Sequence, residues 1–315
     1  MTVTDLRHRA EYAVVLALRA VVAVLPDAGA RALGTLMGLA FYLVDHRHRR
    51  VAVQQLRSAF PTRSAAECRA IARATFAHFG RLLVSVLRLS TIQPDQLRAQ
   101  VEIEGENHLR EALALGRGVL VVTGHFGLWE VQGVAHPLFW PRMNVLARPL
   151  DNPYLQRFLE RTRESTGNRV VYRQGGLRRA LRALSANETV AMLIDQHIQP
   201  SNAVFVDFFN RPAATTTAAA VLAIRTGAPL VPIFALPLPG GRVRLVYEHP
   251  VLPPPPDAAD PVAELTQRCT DVLEMYVRRH PHLWLWMHRR WRDGDDRGDR
   301  GMFPKAAGEV EGAES

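Results

Sequence analysis

The chain has 315 residues, 48% of them hydrophobic and 22% charged, enough apolar material to fill a core, which excludes a disordered chain. Its 39 basic against 30 acidic residues leave a formal charge of +9, built almost wholly of arginine because the one lysine is Lys305. Such a surface suits nucleic acid, acidic headgroups, phosphorylated substrates or an acidic carrier protein, while two solitary cysteines, Cys68 and Cys269, exclude a disulfide framework or close-spaced metal pair and read as small packed residues.

From the N-terminus, Tyr12 to Leu25 and Ala32 to Val44 are two apolar stretches, each shorter than the roughly 20 residues that span a bilayer. Arg19 interrupts the first and Pro26-Asp27 follows it. A clean span and a cleaved signal are therefore disfavoured against two packed or interfacial helices. The cluster Asp45 to Arg50 beyond them suits an anionic membrane surface on the cytoplasmic side, and residues 1–60 are expected to form a membrane-associating unit. Residues 62–89 carry Phe76, Phe79, Leu83, Val86 and Leu87 at helical spacing. After them, strand-length apolar runs alternate with helical segments. The runs are Val119–Thr123, Asn144–Ala147, Arg169–Tyr172, Thr189–Asp195, Pro229–Ala235 and Arg242–Tyr247; the helices are 106–115, 153–166, 176–185 and 214–226. That rhythm predicts an α/β fold with a mostly parallel central sheet flanked by helices. Pro250 to Pro256 breaks the pattern, a last helix is expected over 259–279, and the main domain spans 61–292. From Asp293 the composition turns to Asp, Gly, Arg and Glu, which predicts a frayed tail over 293–315.

The stretch Val121 to Glu130 (VVTGHFGLWE) runs a buried strand into a glycine-flanked histidine and then a helix. In an open α/β sheet, ligands bind at the carboxyl ends of strands, where His125 stands. Glu130 follows after four intervening residues, and residues five apart differ by about 140° on a regular helix. The two side chains meet only if His125 precedes the helix and Glu130 lies in its first turn. A carboxylate so placed fixes the imidazole tautomer and stabilises the imidazolium formed when the other nitrogen takes a proton from a hydroxyl. The His-x4-Glu spacing by itself fits a capping or core histidine better than a catalytic one.

The resemblance that decides between these readings rests on four blocks in order. They are Gly124 to Glu130 (GHFGLWE), Arg148-Pro149-Leu150-Asp151-Asn152-Pro153, Asp195-Gln196 followed by Phe205 to Phe209 and Pro212-Ala213, and the closing pattern His280, Pro281, Trp284, Trp286, His288, Arg289, Arg290 and Trp291. Over most of its length the chain resembles the bacterial lipid A late-acyltransferase family, which includes the phosphatidylinositol mannoside acyltransferases. The resemblance implies a glycerolipid-acyltransferase-like fold, no metal and no bound cofactor. It also implies direct transfer of an acyl group from acyl carrier protein or coenzyme A to a lipid hydroxyl by a His125/Glu130 pair. The implied acceptor is a glycolipid such as a lipid A precursor, with a phosphatidylinositol mannoside or lysophospholipid as the alternative, at the cytoplasmic side of a bacterial inner membrane. The chain departs from the family where Asn210-Arg211 stand in place of the usual glycine after Phe-Phe.

Other residues read on their own terms. Arg148 after a strand suits a phosphate or carboxylate, or a surface ion pair. Asp195 at a strand end suits a substrate-binding residue or a helix cap. Phe208 and Phe209 suit the wall of an acyl slot or plain core packing. Thr215 to Thr217 suit a helix cap. Arg289 and Arg290 among Trp284, Trp286 and Trp291 suit a headgroup clamp in an interfacial belt, or a structural corner. The scattered arginines carry no zinc, homeodomain or RNP pattern, so no nucleic-acid partner is expected, and no GxGxxG or phosphate-binding loop follows any strand.

Overall fold

The computed structural model describes residues 2–172, 175–199, 203–255 and 257–292. The expected tail from Asp293 onward lies outside the described residues. Three helices open the chain, α1 (Val3–Val24), α2 (Asp27–Val44) and α3 (His46–Ala59), followed by the long α4 (Ala65–Leu89) and the short α5 (Pro94–Ala99). The α/β body then runs β1 (Val101–Glu104), α6 (Glu106–Ala114), β2 (Val119–Thr123), α7 (Trp129–Ala135), β3 (Met143–Ala147), α8 (Pro153–Glu164), β4 (Arg169–Tyr172), α9 (Gly176–Ser185) and β5 (Thr189–Leu193). A hairpin of β6 (Ala203–Asp207) and β7 (Pro212–Thr216) precedes α10 (Ala218–Thr226), β8 (Leu230–Pro237), β9 (Val243–Tyr247) and α11 (Pro261–Arg279).

Seven strands form one sheet in the order β1-β9-β8-β2-β5-β3-β4, parallel except for the β8–β9 pair. The exception follows from connection length. A short turn over Pro239–Gly241 joins β8 to β9, too short for a crossover, so that pair must be antiparallel. β2 is buried at every residue and lies between β5 and β8, as a continuous apolar run in a sheet covered on both faces should be.

The alternation legible in the sequence therefore holds, with three additions. The strands β1, β6 and β7 have weak patterns of their own, and 214–216, expected as the start of a helix, pair instead with 203–205 in the hairpin. Thr215 and Thr216 thus belong to β7, and Thr217 sits at the start of α10 without a side-chain cap.

α4 carries the Ser64/Glu67 capping box that its sequence encodes. It is the one helix among the described residues long and apolar enough to cross a membrane, yet 44% of that apolar window is buried in the fold. Its closest neighbour is α2, and glycines make the approach possible: a methyl built on Gly38 would overlap the Phe76 carbonyl, and one on Gly80 the Gly34 carbonyl. α1 lies against α8, where Asn152 donates to the His8 carbonyl at 2.9 Å and Tyr12 stacks on Tyr154. Arg19, the charge that interrupts the first apolar stretch, donates to Ser90 Oγ at 2.7 Å beyond the end of α4. Residues 2–60 thus pack onto the main body, but their outer faces keep apolar side chains in the open, among them Val14, Val24, Leu36, Leu43 and Val44.

Candidate active site

The register of the central strands builds the site. β2 and β5 are parallel neighbours with Thr123 opposite Leu193, and the ladder extends one step as Ile194 N–H donates to the Thr123 carbonyl at 3.0 Å. Two residues past each of those paired positions stand His125 and Asp195. Equal offsets from a shared register put them side by side at the carboxyl edge of the sheet. Asp195 Oδ1 lies 2.8 Å from His125 Nδ1, and its Oδ2 accepts the His125 backbone N–H at 2.7 Å and Trp284 Nε1–H at 2.8 Å. A methyl at position 124 would stand 2.9 Å from Asp195 Oδ2. Gly124 is therefore what lets the carboxylate come so close.

The loop after β2 is strapped from outside. Gly127 N–H donates to the Leu283 carbonyl at 2.9 Å, Leu285 N–H donates to the His125 carbonyl at 3.2 Å, and Phe126 bridges Trp284. Gly127 itself has φ +60, and its Cα faces the Ala235 carbonyl so closely that a side chain would overlap it. His125 precedes α7 and Glu130 lies in its first turn, as the spacing argument requires.

Electrostatics complete the pair. Only 2% of the Asp195 side chain reaches solvent against 18% for His125. Burial pushes the Asp195 carboxyl up, but the His125 charge, the two His125 bonds and the Trp284 N–H outweigh it and hold the group down at about 2. An ionised carboxylate only accepts, so the shared proton sits on His125 Nδ1 and leaves Nε2 as the basic nitrogen. The Gln196 side-chain nitrogen lies 3.4 Å from that Nε2. Next to it, burial drives His288 down to about 4, where it is neutral, and the His197 backbone N–H donates to its Nε2 at 3.3 Å.

Glu130 is placed differently from the expectation. Both its oxygens are held by Arg163 of α8, at 2.5 and 2.9 Å, and by Trp129 Nε1–H at 3.2 Å. The bond to the imidazole, expected from Glu130, comes from Asp195. Glu130 still acts on the ring through space. Burial raises its carboxyl, but Arg163 first and His125 after it bring the net shift down, so it stays ionised beside the ring. The Trp129 ring meets the imidazole edge-on with centroids 5.2 Å apart.

A histidine at the end of a parallel strand, oriented by a buried carboxylate and backed by a second, is equipped to take a proton from a hydroxyl without a nucleophilic side chain. The comparisons say which family the chain belongs to. A model of the bacterial lipid A biosynthesis acyltransferase family matches residues 3–293. The chain belongs to this acyltransferase family. Among its relatives, a lipid A biosynthesis lauroyltransferase of Escherichia coli (strain K12) is 29% identical over 78% of this chain and 79% of its own length. A phosphatidylinositol mannoside acyltransferase of Mycobacterium tuberculosis (strain ATCC 25618 / H37Rv) is 31% identical over 69% of each chain. A lipid A biosynthesis palmitoleoyltransferase of Escherichia coli (strain K12) is 27% identical over 82% of this chain and 84% of its own length.

The remaining sequence-derived site residues of this acyltransferase divide into those at the carboxyl edge and those in the core. Arg148 follows β3, the strand beside β5, and is exposed at the same edge as the pair. Asp195 was expected to bind substrate, but both its oxygens are occupied by the protein's own donors. Phe208 and Phe209 are 0% and 2% exposed and pack edge-on against Trp284 and Trp286 respectively. They belong to the core and wall no open slot. Asn210, where the family usually has glycine, adopts φ 54, a left-handed conformation that Asn tolerates better than most residues; Phe209 beside it shares that conformation and is held by its N–H on Glu274 at 2.6 Å.

The tryptophans of the closing block are buried too, so they form a structural corner and not an interfacial belt. Arg289 is half-buried, whereas Arg290 is 1% exposed and donates to the Ala214 carbonyl at 2.6 Å and to Thr215 Oγ1. Trp284, read in the sequence only as part of a belt or a corner, is also the residue that contacts the His125 partner. Its indole N–H donates to Asp195 Oδ2, and a polar Trp N–H within the apolar run 283–287 was the signal available. No cluster of three or more metal-ligating side chains occurs among the described residues.

Proposed function

We propose that this acyltransferase moves a fatty acyl group from a thioester, carried by acyl carrier protein or coenzyme A, onto a hydroxyl of a glycolipid such as a lipid A precursor, with His125 as general base. The observation that carries the reading is the Asp195–His125 hydrogen bond at the carboxyl edge of the sheet, which leaves Nε2 basic and partly open. In this scheme Nε2 takes the proton of the acceptor hydroxyl as its oxygen attacks the thioester carbonyl. The C–O bond forms, the carbonyl oxygen becomes an oxyanion, and the imidazolium is stabilised by Asp195 through hydrogen bonding and by Glu130 through space. Collapse of the intermediate breaks the C–S bond, and the proton on Nε2 passes to the leaving thiolate. The Gln196 amide, beside Nε2, is our candidate donor to the oxyanion. Arg148 is our candidate for an anionic group of the acceptor.

Exposed apolar residues on α1 and α2, with the charge of +9, support work at an anionic membrane surface, which we assign to the cytoplasmic side of a bacterial inner membrane. Relatives acting on lipid A and on phosphatidylinositol mannoside align at similar identity, so the latter acceptor is the second reading. Transfer of a labelled acyl group from carrier protein or coenzyme A to extracted lipid, with wild type and His125→Ala, tests the scheme; turnover that persists in the variant removes His125 as the base. Mass spectrometry of total lipids from cells with and without the protein identifies the acceptor by one acyl increment.

A further inference from the structure

α3 has two polar faces with different tasks. On one, Gln55 is buried and grips the closing block: its Nε2 donates to the Trp286 and His288 carbonyls at 2.6 and 2.7 Å, and its Oε1 accepts the Arg290 N–H at 2.8 Å. The other face turns outward and, with the end of α2 and the start of α4, forms an open cleft of about 660 Å³. Arg49, Arg50, Arg57 and Arg69 line it together with Tyr42 and Val53. Among the described residues none of these four guanidiniums forms an ion pair with a carboxylate, although ion pairs hold many of the chain's other arginines. One is pre-set: Arg49 lies over the Tyr42 ring, 5.4 Å from its centroid, and donates to the Tyr42 carbonyl at 3.2 Å.

Four like charges with no carboxylate partner among the described residues repel one another, and a fold keeps such an arrangement at a cost unless an anion relieves it. Planar guanidinium forks match phosphate oxygens in particular. The rim of the cleft supplies the second observation. At the C-terminal end of α2, the helix whose Tyr42 lines the cleft, Phe41, Leu43 and Val44 stand 42%, 64% and 79% exposed, and the Phe41 ring lies 6.1 Å from that of His48 on α3, so exposed apolar side chains share this helix end with the arginine cleft. Phosphate over hydrocarbon is the layering of a bilayer surface. An acidic protein partner would satisfy the guanidiniums but leave that apolar rim without a matching surface.

We propose that the cleft between α2, α3 and α4 binds the phosphate of an anionic membrane lipid, at a place separate from the His125 centre. The inference rests on the membrane-surface reading above and adds to it a defined site. Through Gln55, the same helix that would take the phosphate braces the block whose Trp284 holds Asp195.

The test compares the full chain with R50A/R57A/R69A and with a control of equal charge loss, R178A/R182A/R225A on the exposed faces of α9 and α10. Each is sedimented with phosphatidylcholine vesicles, with and without phosphatidylglycerol. The cleft variant should lose about tenfold or more in affinity for the anionic vesicles, and the control no more than about twofold. The proposal is overturned if the control loses as much, if the cleft variant binds as wild type does, or if its loss is equal on neutral vesicles. It is likewise overturned if the variant keeps its vesicle binding and loses binding to an acidic acyl carrier protein. Acyl transfer in detergent separates the two readings. If His125 is required there while the cleft variant sediments normally, only the cleft fails; if vesicle binding depends on the cleft but no transfer is found for any form, only the functional reading fails.

Discussion

Asp195→Asn isolates the step on which the mechanism turns, because it keeps shape and removes only charge and one acceptor. In the wild type two donors, His125 N–H and Trp284 Nε1–H, converge on Oδ2 at 2.7 and 2.8 Å. Asparagine has a single acceptor oxygen, and two buried donors outweigh one, so that oxygen stays at the Oδ2 position. Its NH₂ then faces His125 Nδ1, which must lose its proton to accept. The imidazole flips to the tautomer with hydrogen on Nε2, and the base disappears from the substrate side. The imidazolium also loses its buried counter-charge. The equivalent change in a serine-hydrolase triad costs about ten-thousandfold in kcat; here we expect a drop of about 10²- to 10⁴-fold, which is about 3–5 kcal/mol of barrier. KM and the melting temperature should move little. The assay is steady-state transfer of labelled acyl groups with both substrates varied, alongside thermal unfolding. A kcat within about threefold of wild type in a normally folded variant would refute the tautomer argument and return the orienting role to Glu130.

Gln196→Ala should lower kcat by about tenfold to a hundredfold with little change in KM, the pattern of a donor used only in the transition state; a rise in KM at constant kcat would make Gln196 a substrate contact. Gly38→Ala drives a methyl into the Phe76 carbonyl and must spread α2 from α4, a cost of about 1–3 kcal/mol read as a lowered melting temperature. An unchanged melting temperature would mean that the helices part freely. His78, buried with Nε2 3.0 Å from the Gly127 carbonyl, is pushed down by burial to about 4. In the unfolded chain it takes up a proton below about pH 6.5, so the unfolded state binds more protons between those values and stability falls as the pH drops from about 6.5 to about 4. His78→Gln keeps an N–H donor without the titration. It should flatten that part of the stability curve by on the order of 3 kcal/mol, measured by urea unfolding at several pH values.

Much of this fold is written in local pattern. A buried apolar run, a glycine-flanked histidine and a helix start place His125 at a strand end and Glu130 in the first turn from spacing alone, because strand and helix periods are short-range properties. Glycines 34, 38 and 80 carry no such local message, since each matters only through the helix opposite. The aromatic residues misled for a related reason: an exposed slot and a dry core ask for the same side chains, and Phe208 and Phe209 went to the core.

Only tertiary structure chose the partner of the imidazole. The sequence offered Glu130, five residues away, but Asp195, seventy residues on, lies closer to the ring because β5 pairs with β2 in parallel register. Strand order is a long-range decision, set by how a whole sheet buries its two faces, and no spacing within one segment encodes it. The same decision brought Trp284 from the far end of the chain onto the other carboxylate oxygen. The residue types needed for proton transfer were thus determined by the sequence, and their pairing by the sheet.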